Sequence, residues 1–114
     1  QANPVVAAVC AASDTHIPAG ETVLADLGKL VPAGQGGDVV ITGVNGSNDG
    51  FQAVVSGTAD AFVVMGTDAT GRKAVELAAR LLEGEEVPRT NYVGGNLFTT
   101  ENAEANKATI WGAP

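Results

Sequence analysis

The chain has 114 residues, 45% of them hydrophobic, and a formal net charge of −7. That length corresponds to one ordinary domain with enough apolar side chains to form a core, and the acidic balance repels phosphate backbones, which argues against nucleic acid as a partner. A single cysteine (Cys10) and a single histidine (His16) exclude an internal disulfide and a structural zinc site.

No apolar run reaches the length of a membrane helix. Gln1 opens the chain without a basic region, so no signal peptide is read in it; a secreted parent would carry one upstream.

In chain order, Val5 to Ala11 is a continuous apolar run and predicts the first strand, with Cys10 read as core packing. Ile17 to Leu27 reads as a helix, with Ala19, Val23 and Leu27 on one face. Asp14 or Thr15 is its expected cap, Pro18 suits its first turn and Gly28 its end. Residues 31–37 are rich in Pro and Gly and read as a surface loop.

Val39 to Val44 predicts the second strand. Asn48 to Ser56 predicts a helix grouping Phe51, Val54 and Val55, capped by Ser47 or Asn48 and stopped by Gly57. Ala61 to Met65 predicts the third strand. Asp68 to Glu83 carries the clearest helical stripe, namely Ala74, Val75, Ala78, Leu81 and Leu82, followed by Gly84 and Pro88. Asn91 to Phe98 is a fourth strand, interrupted by Gly94 and Gly95.

The strand runs lack polar alternation, which predicts burial on both faces. The fold class read from this order is α/β, a mainly parallel sheet flanked by helices. In such sheets ligands bind beyond the carboxyl ends of the strands. The segments there are Ser13-Asp14-Thr15, Asn45-Gly46-Ser47-Asn48 and Gly66-Thr67-Asp68, all polar.

A series of phrases carries a family resemblance. Val9-Cys10-Ala11-Ala12-Ser13-Asp14 resembles a strand ending in Ala-x-Asn-Asp. Residues Gly37 to Gly46 resemble a Gly-Asp-(apolar)-Gly-Phe-Asp-Gly segment, and Ala53 to Ala61 resembles Ala-Ile-x-x-Gly-x-x-Asp-Ala. Leu82 to Pro88 is similar to a Leu-x-Gly-x-x-Val-Pro exit, and Phe98 to Asn102 to a late Val-Thr-x-Glu-Asn phrase. Their order, from Pro4 to Ala103, resembles the last part of the periplasmic sugar-binding family, the ribose- and galactose-binding type I solute-binding proteins, which are related to the cores of LacI-type repressors.

The resemblance implies the C-terminal segment of a two-lobed α/β protein that grips its ligand between lobes. It assigns residues 1–66 to the C-terminal lobe, 67–90 to a helix of the other lobe and 91–114 to a crossing strand and tail. Such proteins are more than twice this length, so the remaining lobe or a second chain is expected to complete the fold.

Position by position, the resemblance gives four ligand-binding candidates: Ser13, Asp14, Asn45 and Met65. Ser13 stands where the family has Asn, Asn45 where it has Asp, and Met65 where it has Gln or Asn; Asp14 is kept. These departures imply a ligand less rich in hydroxyls than a pyranose, such as a deoxy sugar or a sugar alcohol.

Each candidate also has a plainer reading. Asp14 and Ser13 suit capping, Asn45 before Gly46 suits a turn, and Met65 suits core packing. His16 reads as a surface or capping residue, and Tyr92 and Trp111 as packing aromatics that could stack on a sugar face.

Enzyme readings find little support. Ser13, Asp14 and His16 are too close in sequence for a catalytic relay. Gly43-Val44-Asn45-Gly46 holds only part of a dinucleotide fingerprint and the phosphate-loop lysine pattern is absent, so no cofactor is expected. The expected function is reversible binding of a sugar-like solute by the substrate-binding component of an ABC importer. Its partner would be a membrane permease and its location periplasmic or extracytoplasmic, a cell-surface lipoprotein included. The alternatives are the effector-binding core of a LacI-like repressor and a stand-alone flavodoxin-like interaction domain.

Overall fold

In the computed structural model, residues 5–114 are described; Pro4, where the family resemblance begins, lies outside them. The chain forms two compact units, one running to Val64 and resuming at Leu97–Pro114, the other Met65–Asn96.

Four strands, β1 (Ala8–Cys10), β2 (Val40–Asn45), β3 (Ala61–Met65) and β4 (Gly95–Thr99), form a sheet in the order β1-β2-β3-β4. β1 and β2 pair in parallel with Val9 opposite Ile41. β2 and β3 pair in parallel from Thr42 opposite Ala61 to Asn45 opposite Val64. Helix α1 (Ile17–Asp26) links β1 to β2, and α2 (Asn48–Ser56) links β2 to β3. Parallel neighbours require such crossovers.

α2 starts and stops where its local chemistry dictates. The Ser47 hydroxyl accepts from Gly50 N, and Gly57 takes the left-handed conformation at φ 76°.

α1 and α2 contact one another, and the face of β2 and β3 that carries Ile41, Phe62 and Val64 is buried with Ile17, Leu24, Phe51 and Val54. Phe98 of β4 closes this core, its ring centroid 5.7 Å from that of Phe62. Ala103 and Ile110, beyond β4, complete it.

The expectation of strands buried on both faces is corrected. Side chains alternate across a strand, so Val40, 44% exposed, points away from buried Ile41. Cys10 is exposed, not packed in the core. β1 is also shorter than the run Val5 to Ala11, and both Val5 and Val6 are exposed. The physical reason is topological. The crossovers place α1 and α2 on one face of the sheet, and β1 lies at its edge. The fourth strand likewise begins at Gly95, not Asn91.

The second unit is built on α3 (Thr67–Leu82), which has no buried residue. Its expected stripe is exposed at Val75, Leu81 and Leu82. Surface ion pairs join Arg72 to Asp68 at 2.9 Å and Lys73 to Glu76 at 3.0 Å. Each contributes a few tenths of a kcal/mol, about what helix-surface pairs give. Gly84, at φ 81°, ends the last turn.

Candidate functional site

The first two parallel strands end side by side. Ala11 N donates to Thr42 O at 2.8 Å, which keeps the chain against β2 as it leaves β1. Ser13 follows in an extended conformation, and residues 14–16 form a 3-10 turn leading into α1.

That turn carries Asp14 over the end of β2 and buries it completely, at 0% exposure. The approach is possible only because two of its neighbours lack side chains. A Cβ on Gly43 would lie 2.8 Å from Asp14 Cβ, and one on Gly50 would lie 2.7 Å from Asp14 Oδ2. A glycine inside a strand marks such close approaches.

Asp14 Oδ2 accepts from Gly46 N at 2.7 Å and from Ser47 N at 2.8 Å. The start of α2, a natural anion site, is therefore filled by the protein's own carboxylate. Asp14 Oδ1 is buried without a partner. Neither Asp14 nor Thr15 caps α1, whose cap position is His16 and makes no side-chain bond. That sequence expectation is corrected, because a long-range pair of charge-assisted bonds outweighs a local cap.

Asn45 ends β2 with φ at 122°, the only described non-glycine residue with positive φ. Such a conformation costs roughly 1–3 kcal/mol and persists only where its surroundings enforce it. Its Nδ2 donates to Ser13 Oγ at 2.9 Å, and Ser13 Oγ also lies 2.9 Å from Thr15 Oγ1. Its carbonyl accepts from Trp111 Nε1 at 2.8 Å.

The structure therefore brings Ser13, Asp14 and Asn45 together at the carboxyl ends of adjacent parallel strands. Ser13 and Asn45 remain partly exposed there, whereas Asp14 is sealed beneath them. Met65, 46% exposed, ends β3 and belongs to the second unit. The Ser13 hydroxyl accepts from Asn45 and shares a hydrogen bond with Thr15, and Asp14 is committed to backbone N–H groups, so neither is set up for a relay with His16. No group of three or more His, Cys, Asp or Glu able to hold a metal occurs among the described residues.

Sequence reasoning missed the close approach of Gly43 and Gly50 to Asp14, and Trp111, expected to pack or to stack on a sugar face, instead donates to the Asn45 carbonyl. The glycines had a signal in their positions within a strand and a first helical turn. The bond from Trp111 had none, since its partner is 66 residues away.

No protein-family model matches the chain. It is 38% identical over 86 residues to the ribose import binding protein RbsB of Salmonella typhimurium, covering 75% of this chain and 27% of that protein. Its fold superposes on an ABC transporter solute binding protein from Mycobacterium smegmatis with bound glycerol at TM-score 0.72 and 31% identity, covering 92% of this chain and 34% of the other. The chain is similar to a segment of the type I periplasmic sugar-binding proteins.

Among other type I proteins, the binding component of the arabinose ABC transporter from Shewanella sp. ANA-3 matches in fold at TM-score 0.74 and 23% identity, over 97% of this chain and 35% of that one. The chain thus spans about a quarter to a third of the length of these type I relatives. They are solute-binding proteins, not enzymes.

Proposed function

We propose that the chain contributes one wall of a reversible binding site for a sugar or sugar-like solute. The observation that carries this is the Ser13–Asn45 pair, held half-exposed where two parallel strands end. Open parallel sheets place ligands at that location. An amide that both donates and accepts, beside a hydroxyl, suits polyol recognition. The relatives are named for ribose and arabinose, which supports the same ligand class here.

On this reading the parent is the substrate-binding component of an ABC importer, acting outside the cytoplasm with a membrane permease, with or without a lipid anchor. Residues 1–66 serve the C-terminal lobe, 67–90 the other lobe and 91–114 the crossing and tail. Met65 supplies an apolar contact. The open sheet face around Val40 and Cys10 is where the remaining lobe or a second chain completes the fold. Asp14 acts from beneath the site, holding the turn that presents Asn45.

Calorimetric titration of the intact parent, in which this chain supplies one wall, with D-ribose, 2-deoxy-D-ribose, L-arabinose, myo-inositol and D-glucose tests the reading. Binding of a deoxy sugar or sugar alcohol is expected, at least tenfold tighter than D-glucose, and weakened by Asn45→Ala. Tight ribose or glucose binding would overturn the ligand preference. An intact, folded parent that gives no heat with any of them would overturn the function.

A further inference from the structure

The turn after β2 contains two successive peptide groups, and each is held at both ends. The first joins the Asn45 carbonyl to the Gly46 N–H. The N–H donates to Asp14 Oδ2 at 2.7 Å, and the carbonyl accepts from Trp111 Nε1 at 2.8 Å. The second joins the Gly46 carbonyl to the Ser47 N–H. The N–H donates to the same carboxylate at 2.8 Å, and the carbonyl accepts from Gly112 N at 3.0 Å.

Asp14 therefore grips both N–H ends, and the C-terminal tail grips both carbonyl ends. A peptide group held only by its N–H can still pivot about that bond. One held at both ends cannot turn without breaking a hydrogen bond.

The tail is seated tightly. Ile110 is buried in the core and anchors it, and Ala113 N donates to Ile110 O at 3.0 Å. A Cβ on Gly112 would collide with Gly46 O and lie 2.6 Å from Asn48 N. A Cβ on Gly46 would lie 3.1 Å from Trp111 Nε1. The two backbones approach this closely because both residues are glycine. Trp111 itself is 59% exposed, so its role here is the directed indole N–H more than burial.

We propose that Trp111 and Gly112 form a latch that holds the turn after β2 and keeps Asn45 at its unfavourable φ, with its amide turned toward Ser13. They are positioning residues, and their effect on ligand affinity rests on the proposed sugar site. The latch itself is a claim about the turn and is tested separately.

Trp111→Phe keeps a ring and deletes the donor. Gly112→Ala cannot be accommodated with the tail seated and releases it. Amide hydrogen exchange of the whole chain is measured for wild type and both variants, with calorimetry of the intact parent, wild type and carrying each substitution, against the five sugars named above. In both variants exchange at Gly46 and Ser47 is expected to speed up about tenfold, the worth of roughly one hydrogen bond. The amides of Ile41 and Phe62 in the sheet stay at wild-type rates. Affinity for whichever sugar binds wild type falls about tenfold.

Unchanged exchange at Gly46 and Ser47 in both variants would overturn the latch. So would an equal acceleration across the whole sheet, because the tail would then be a general stabiliser. If wild type binds none of the sugars, the proposed function fails while exchange still decides the latch.

Discussion

Replacing Asp14 by alanine removes a fully buried acceptor from two backbone donors, Gly46 N and Ser47 N. A buried N–H without a partner costs about 1–3 kcal/mol, and bonds to a charged acceptor are worth about 1.5–3 kcal/mol each in the first place. The two donors share one carboxylate oxygen, so their losses overlap. The expected destabilisation is roughly 3–5 kcal/mol, the range for deleting one partner of a buried charged interaction. For a domain whose total stability is roughly 5–15 kcal/mol, that is a large share.

Asp14→Asn has the same shape and keeps one acceptor oxygen but loses the charge, so about half that loss is expected. Urea unfolding followed by circular dichroism measures both. With a slope of about 1–3 kcal/mol per molar for a small domain, Asp14→Ala should lower the midpoint by about 2 M, and Asp14→Asn by less. An alanine variant within about 0.5 kcal/mol of wild type, as at an ordinary surface site, would refute the reasoning.

Three further predictions follow from the same geometry. Gly43→Ala forces a Cβ to 2.8 Å from Asp14 Cβ and 2.9 Å from Ile17 Cδ1 and should cost about 1–3 kcal/mol, whereas Gly20→Ala, with open space inside α1, should stabilise by about 0.5–1 kcal/mol; thermal melts of the two variants should shift in opposite directions. At Asn45 both alanine and glycine lose the bond to Ser13, but only alanine keeps the strain of φ 122°, so urea titration should find Asn45→Gly more stable than Asn45→Ala by about 1–3 kcal/mol, with sugar binding weakened in both. Cys10 is exposed, so in the folded chain it should react with a thiol-specific chromogenic disulfide about as fast as in the unfolded chain; strong protection would contradict the open sheet face.

How much of this was legible in the sequence depends on how far apart the interacting groups lie. α2 and β3 were read with their observed bounds, Asn48–Ser56 and Ala61–Met65, because their signals are local: the Ser47 cap, the Gly57 stop and a short apolar run. β1 was read too long, and Cys10 as core, because an apolar run does not reveal which face the crossover helices cover or which strand lies at the sheet edge.

At the site, the family resemblance makes Ser13 and Asn45 candidates, and they prove to be bonded neighbours. The role of Asp14 was misjudged toward a helix cap, because its partners Gly46 and Ser47 are 32 and 33 residues away. Trp111 could not be connected to Asn45 at all, since no periodicity or spacing encodes a tail folding back across the whole unit.

The most direct test follows the Asn45 side-chain amide by 15N-edited NMR while the intact parent is titrated with the sugars. The account predicts that a sugar which binds shifts the Asn45 Nδ2 resonances and the amides of Ser13 and Gly46, while those on α1 that face away from β2 stay in place. Saturable binding that moves resonances only elsewhere, leaving Asn45 and Ser13 untouched, would contradict it.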